Sequence, residues 1–70
     1  MPYTVHWTAP SGPSAEPHAL GLRAAERAMT FASMGAANVY VQTEDGRVFR
    51  APAQMAALVQ HAQSTDPNRP

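Results

Sequence analysis

The chain reads as an α+β two-layer sandwich in the order strand, helix, strand, strand, helix, with both helices on one face of a three-stranded sheet. Three observations predict it. Alternating β-branched and aromatic runs flank the turn Glu44-Asp45-Gly46-Arg47, so Asn38 to Arg50 forms a β-hairpin. Two further segments, about Leu20 to Met34 and Met55 to Ala62, space their apolar residues at helical intervals. Tyr3 to Thr8 alternates strictly, placing Tyr3, Val5 and Trp7 on one face and Thr4, His6 and Thr8 on the other.

Size and composition bound the rest. Seventy residues make one domain, expected over 1–63, and a chain this short buries only about 60% of its unfolded surface. Without cysteine it has no disulfide, no thiolate nucleophile and no Cys-based zinc site. Five Arg balance five acidic residues, which speaks against nonspecific binding to nucleic acid or anionic membranes, since both rely on summed positive potential. The start MPYTVHWTAPSGP lacks the basic and apolar regions of a signal peptide, and no apolar run reaches the roughly twenty residues that span a bilayer. A cytoplasmic protein is therefore expected. All basic residues are Arg, Ile is absent and Ala fills a fifth of the chain, a bias expected of a GC-rich bacterial source. AT-rich codons in the gene would remove that explanation.

Taken in order, the strand at Tyr3 to Thr8 gives way to Ala9 to Pro17, whose three prolines, glycine and two serines predict a flexible loop. A helix is expected from near Pro17 to about Met34, with Ser14 or Glu16 as its cap. On a helical wheel Leu20, Leu22, Ala24, Ala25, Ala28, Met29, Phe31 and Ala32 form its apolar side, and Arg23, Glu26, Arg27, Thr30 and Ser33 its polar side. Gly35 is the expected stop, because glycine takes the left-handed conformation without strain.

The hairpin admits two registers. A two-residue Asp45-Gly46 turn groups Val39, Val41 and Val48 inside. A three-residue Glu44-Asp45-Gly46 loop with a glycine bulge groups Val39, Val41 and Phe49 inside and leaves Tyr40, Gln42, Val48 and Arg50 outside. The bulged loop is favoured, since Asp is less at ease than Asn in the left-handed position that the tighter turn needs. Pro52 is expected to open a second helix, buried along Met55, Leu58, Val59 and Ala62, and 64–70 to form a disordered tail. The first strand can lie beside the second in parallel, or beside the third in antiparallel.

No catalytic, cofactor or metal-binding motif emerges. The three histidines lie far apart without a second ligand at helical spacing, and the serines lack a base-containing motif. No cofactor and no enzymatic activity are expected. The bare sheet face, carrying His6, Tyr40, Gln42 and Arg50, is the candidate interaction surface; Arg23 and Arg27, one turn apart, are a secondary candidate for an anion or acidic partner. The expected function is protein interaction or self-association, as a homodimer or with another protein, with an unpaired sheet edge or the Tyr40 face supplying the contact. The alternative is weak single-stranded nucleic-acid binding, with Tyr40 and His6 stacking on bases.

Overall fold

The computed structural model describes residues 3–65. Their order is β1 (Tyr3–Ala9), β2 (Gly12–His18), α1 (Gly21–Ser33), β3 (Ala37–Thr43), β4 (Val48–Arg50) and α2 (Met55–Thr65). The sheet has four strands in the order β2-β1-β3-β4, antiparallel throughout. It is thus α+β as expected, but with one strand more than the sequence suggested.

The additional strand is β2, which occupies the stretch expected to be a loop. Ala9 pairs with Gly12 across the two-residue connection Pro10-Ser11, and the ladder then runs to Tyr3 and His18. In such a hairpin the closing pair exchanges both of its hydrogen bonds, so the peptide groups of Pro13, Ala15 and Pro17 point away from β1. Because β2 is an edge strand, the missing proline donors leave no ladder bond unmade. The reversal at β2 also overturns both expected placements of the first strand: β1 runs antiparallel to β3, with Val5 opposite Val41.

α1 begins at Gly21, not near Pro17, because residues up to His18 belong to β2. Leu20 is the N-cap and no side chain caps the helix, so neither Ser14 nor Glu16 does so. At the other end the Gly35 N–H bonds the Ala32 carbonyl at 3.1 Å and the Ala36 N–H bonds the Phe31 carbonyl at 3.0 Å, with Gly35 at φ 89°. This is a Schellman stop, for which glycine's left-handed freedom is needed. The three-residue hairpin loop is the one found: Val41 faces Phe49, Tyr40 faces Arg50, and Gly46 has φ 92°. Between His6 and Thr8 the β1–β3 register slips by one residue, a bulge that holds Asn38 at φ 55°.

Pro52 does not open α2. Residues 51–54 form a turn, and the helix begins at Met55. Ser64 and Thr65 continue α2 instead of starting a tail, and 66–70 lies outside the described residues.

One cluster joins Tyr3, Val5, Val39 and Val41 of the sheet with Ala24, Ala25, Ala28, Met55 and Leu58 of the helices. Those four strand residues share a face, so both helices cover it. The side of α1 that is buried is the Ala24, Ala25 and Ala28 part of the apolar side its wheel predicts, with Phe31 and Ala32 packed beside it, and is narrower than expected. Ala24 and Ala28 are 0% exposed, whereas Leu22 is 44% and Met29 45% exposed. At the start of α1 the layers also approach closely. A Cβ on Gly21 would stand 2.5 Å from the Ala62 Cβ and 2.9 Å from Tyr3 Cζ, a spacing that admits only the smallest side chains at that end of α1.

Candidate functional site

On the sheet face away from the helices, alternation brings together the four residues proposed from sequence. His6 on β1, Tyr40 on β3 and Arg50 on β4 are direct cross-strand partners, and Gln42 lies beside them opposite Thr4 and Val48. The rings of His6 and Tyr40 stack with centroids 4.6 Å apart and planes 13° from parallel. From the other flank the Arg50 guanidinium sits over the Tyr40 ring at 5.5 Å. Tyr40 is thus held between an imidazole and a cation, and both faces of its ring are taken. Stacking of this kind contributes about 0.5–1.5 kcal/mol per pair to the sheet.

Of the secondary pair, Arg27 is held within the chain. Arg27 turns to β2, where its Nε donates to Glu16 Oε1 at 3.0 Å, and its guanidinium covers Phe31 at 4.7 Å. Glu16 in turn lies 2.7 Å from His18 Nε2. Phe31 stacks on Trp7 with centroids 4.0 Å apart. The Glu16 carboxyl is held below its usual value chiefly by the Arg27 bond and next by His18, and the same bond raises the Arg27 guanidinium. The half-buried edge of the sheet is closed by charge pairing where it has no apolar residue to offer. At the hairpin, the Thr43 hydroxyl bond to Asp45 is the main cause lowering that carboxyl. None of the three histidines is a bare surface residue: His6 is stacked, His18 is paired, and His61 lies against Phe49 at 5.6 Å. Among the described residues, no three His, Asp or Glu side chains converge as metal ligands.

Both sheet edges carry few outward donors. On β2 the outward donors reduce to the Ala15 N–H, since Pro13 and Pro17 have none. On β4 the Arg50 N–H donates to Gln54 Oε1 at 2.8 Å, and the Gln54 N–H donates to the Arg50 carbonyl at 2.8 Å. Gln54 so occupies the outer edge of β4 and leaves Val48 as its outward-facing residue.

No family model, no curated protein and no solved structure matches the chain.

The surface that sequence reasoning missed lies on the helices. A groove of about 760 Å³ runs between α1 and α2, lined by Leu22, Ala25, Met29, Met55, Ala56 and Val59, with Glu26 on its rim. Its signal in the sequence was ambiguous, because a Leu and a Met on an amphipathic helix read as core. A smaller notch of about 330 Å³ lies beside Asn38, Arg50 and Pro52. Among the described residues no helix is long and apolar enough to cross a membrane.

Proposed function

We propose that the protein is a small non-enzymatic association module whose contact surface is the groove between α1 and α2, with self-association as its first use. The observation that carries this reading is that the apolar side of α1 is divided, with alanines in the core and Leu22 and Met29 44% and 45% exposed. Burying one such side chain fully is worth about 1.5–3 kcal/mol, and a small domain is short of that stabilisation. Five exposed large apolar residues among the described residues, three of them on α1 or its N-cap, support an interface better than scattered surface variation. Methionine suits such a surface because its unbranched side chain adapts to a partner.

The alternative, single-stranded nucleic-acid binding through the open sheet face, draws no support from the Tyr40 geometry and none from the balanced charge. Sedimentation velocity from micromolar to several hundred micromolar tests the main reading. Mass should rise with concentration in the wild type, and Leu22→Asp should hold the protein monomeric. A wild type that stays monomeric throughout the range refutes self-association.

A further inference from the structure

We infer that the groove is filled by a second copy of the same chain, docked about a two-fold axis with the two α1 helices antiparallel. This rests on the reading of the groove as the contact surface and adds the partner and its orientation. The first argument is spacing. Leu22 and Met29 stand seven residues apart, two turns of helix, with Ala25 between them on the same side. An antiparallel copy centred between positions 25 and 26 sets Leu22 of each chain on Met29 of the other. The exposed Glu26, four residues from Leu22 and three from Met29, then lies nearest the crossing.

Charge supplies the second argument. Arg23 and Glu26 lie one turn apart on the exposed flank of that stripe, and among the described residues neither forms an ion pair. Arg27, the other cation of α1, is already held by Glu16. In the arrangement described, Arg23 falls about 3 Å along the helix axis from Glu26 of the second copy, at a rise of about 1.5 Å per residue. The two Glu26 carboxylates meet near the axis, each bracketed by an arginine. The flank is self-complementary, as a two-fold contact requires. A chain with no net charge adds no long-range repulsion between copies. The blunted edges of β2 and β4, in turn, close the other common route to a dimer, strand addition.

Two sets of variants of the full chain test the proposal, each checked for its fold by circular dichroism. In sedimentation equilibrium at low salt, Arg23→Glu and Glu26→Arg should each weaken self-association at least tenfold, because each gathers four like charges at the axis. The double swap R23E/E26R should restore it to within about threefold of wild type. The chain has no cysteine, so single cysteines report proximity without background. Glu26→Cys should give a covalent dimer on mild oxidation, and Gln42→Cys, on the open sheet face, should not. A monomeric wild type would remove the proposed function and this inference together. Should the wild type associate and Leu22→Asp abolish it while the charge swaps have no effect, the groove stands and the two-fold geometry falls. Cross-linking at position 42 but not 26 would place the contact on the sheet face and overturn both the groove and its occupant.

Discussion

Replacing Gly21 by alanine adds one methyl group at the tightest point between the layers. Its Cβ would lie 2.5 Å from the Ala62 Cβ, 2.9 Å from Tyr3 Cζ and 3.0 Å from Tyr3 Oη. Carbon atoms rest at about 3.5–4.0 Å, so the gap is short by roughly 1 Å against Ala62. Neither neighbour can swing away: Ala62 has no side-chain torsion to turn and is 0% exposed, and the Tyr3 ring is fixed in the core. The helices must separate, at an overpacking cost of about 1–3 kcal/mol. Alanine returns up to about 1 kcal/mol of helix propensity, less so in a first turn. The net expectation is a loss of about 1–2 kcal/mol, which for a domain of this size lowers Tm by about 5–15 °C. Thermal melting by far-UV circular dichroism, paired with the fluorescence of Trp7 on Phe31, measures it. Ala62→Gly removes one of the opposing carbons, so G21A/A62G should be more stable than the sum of the single changes predicts, by about 1 kcal/mol. A Gly21→Ala protein that melts at or above wild type, or a double variant additive to within about 0.5 kcal/mol, refutes the close contact.

Three other outcomes follow from the packing and the charges. Leu58→Ala empties a fully buried site and should cost about 2–5 kcal/mol, a large share of the few kcal/mol a domain this size has; a denaturant midpoint near wild type would show that the core is not centred there. Gln54→Ala frees the Arg50 N–H, so hydrogen exchange at that amide should accelerate well beyond that at Val41 or Phe49, and unchanged protection would mean that Gln54 does not cap the edge. The Glu16 carboxyl is depressed below its ordinary 4.5, so the stability it contributes is present above that value and is lost as pH falls through the lower folded-state value. Wild type should therefore lose stability on acidification below about pH 4.5 more steeply than Glu16→Gln, and parallel profiles would show that the Arg27 pairing adds nothing to the fold.

How far the sequence revealed this molecule depends on which force placed each segment. The hairpin was legible because turn chemistry and alternation agree: Gly46 supplies the left-handed residue, and Val41 with Phe49 supplies the inner face. Gly35 was legible for the same local reason. β2 was hidden because nothing in Gly12–His18 is apolar enough to announce a strand. Its inward residues, Ser14, Glu16 and His18, face Trp7, Val5 and Tyr3, and Glu16 is held by His18 and by Arg27, a residue eleven positions beyond it. The one usable clue was that Pro13 and Pro17 share a phase, as an edge strand requires. On the candidate site, alternation sufficed to put His6, Tyr40, Gln42 and Arg50 on one face. That the rings of His6 and Tyr40 close on each other depends on the β1–β3 register, which no local pattern encodes.

The divided apolar side of α1 ties these observations together. A wheel ranks side chains by hydrophobicity and groups Leu22 and Met29 with Ala24, Ala25 and Ala28, but the alanines are buried while the two larger residues stay 44% and 45% exposed. Large apolar residues left exposed in this way must face either water or another molecule. Water leaves their transfer free energy unused in a chain with little stability to spare. The prolines of β2 and Gln54 on β4 keep other chains from the sheet edges, and the His6, Tyr40 and Arg50 stack satisfies its members among themselves. Among the described residues, what remains for a partner is the outer side of the helices, where apolar surface lies beside Arg23 and Glu26, neither of them in an ion pair there.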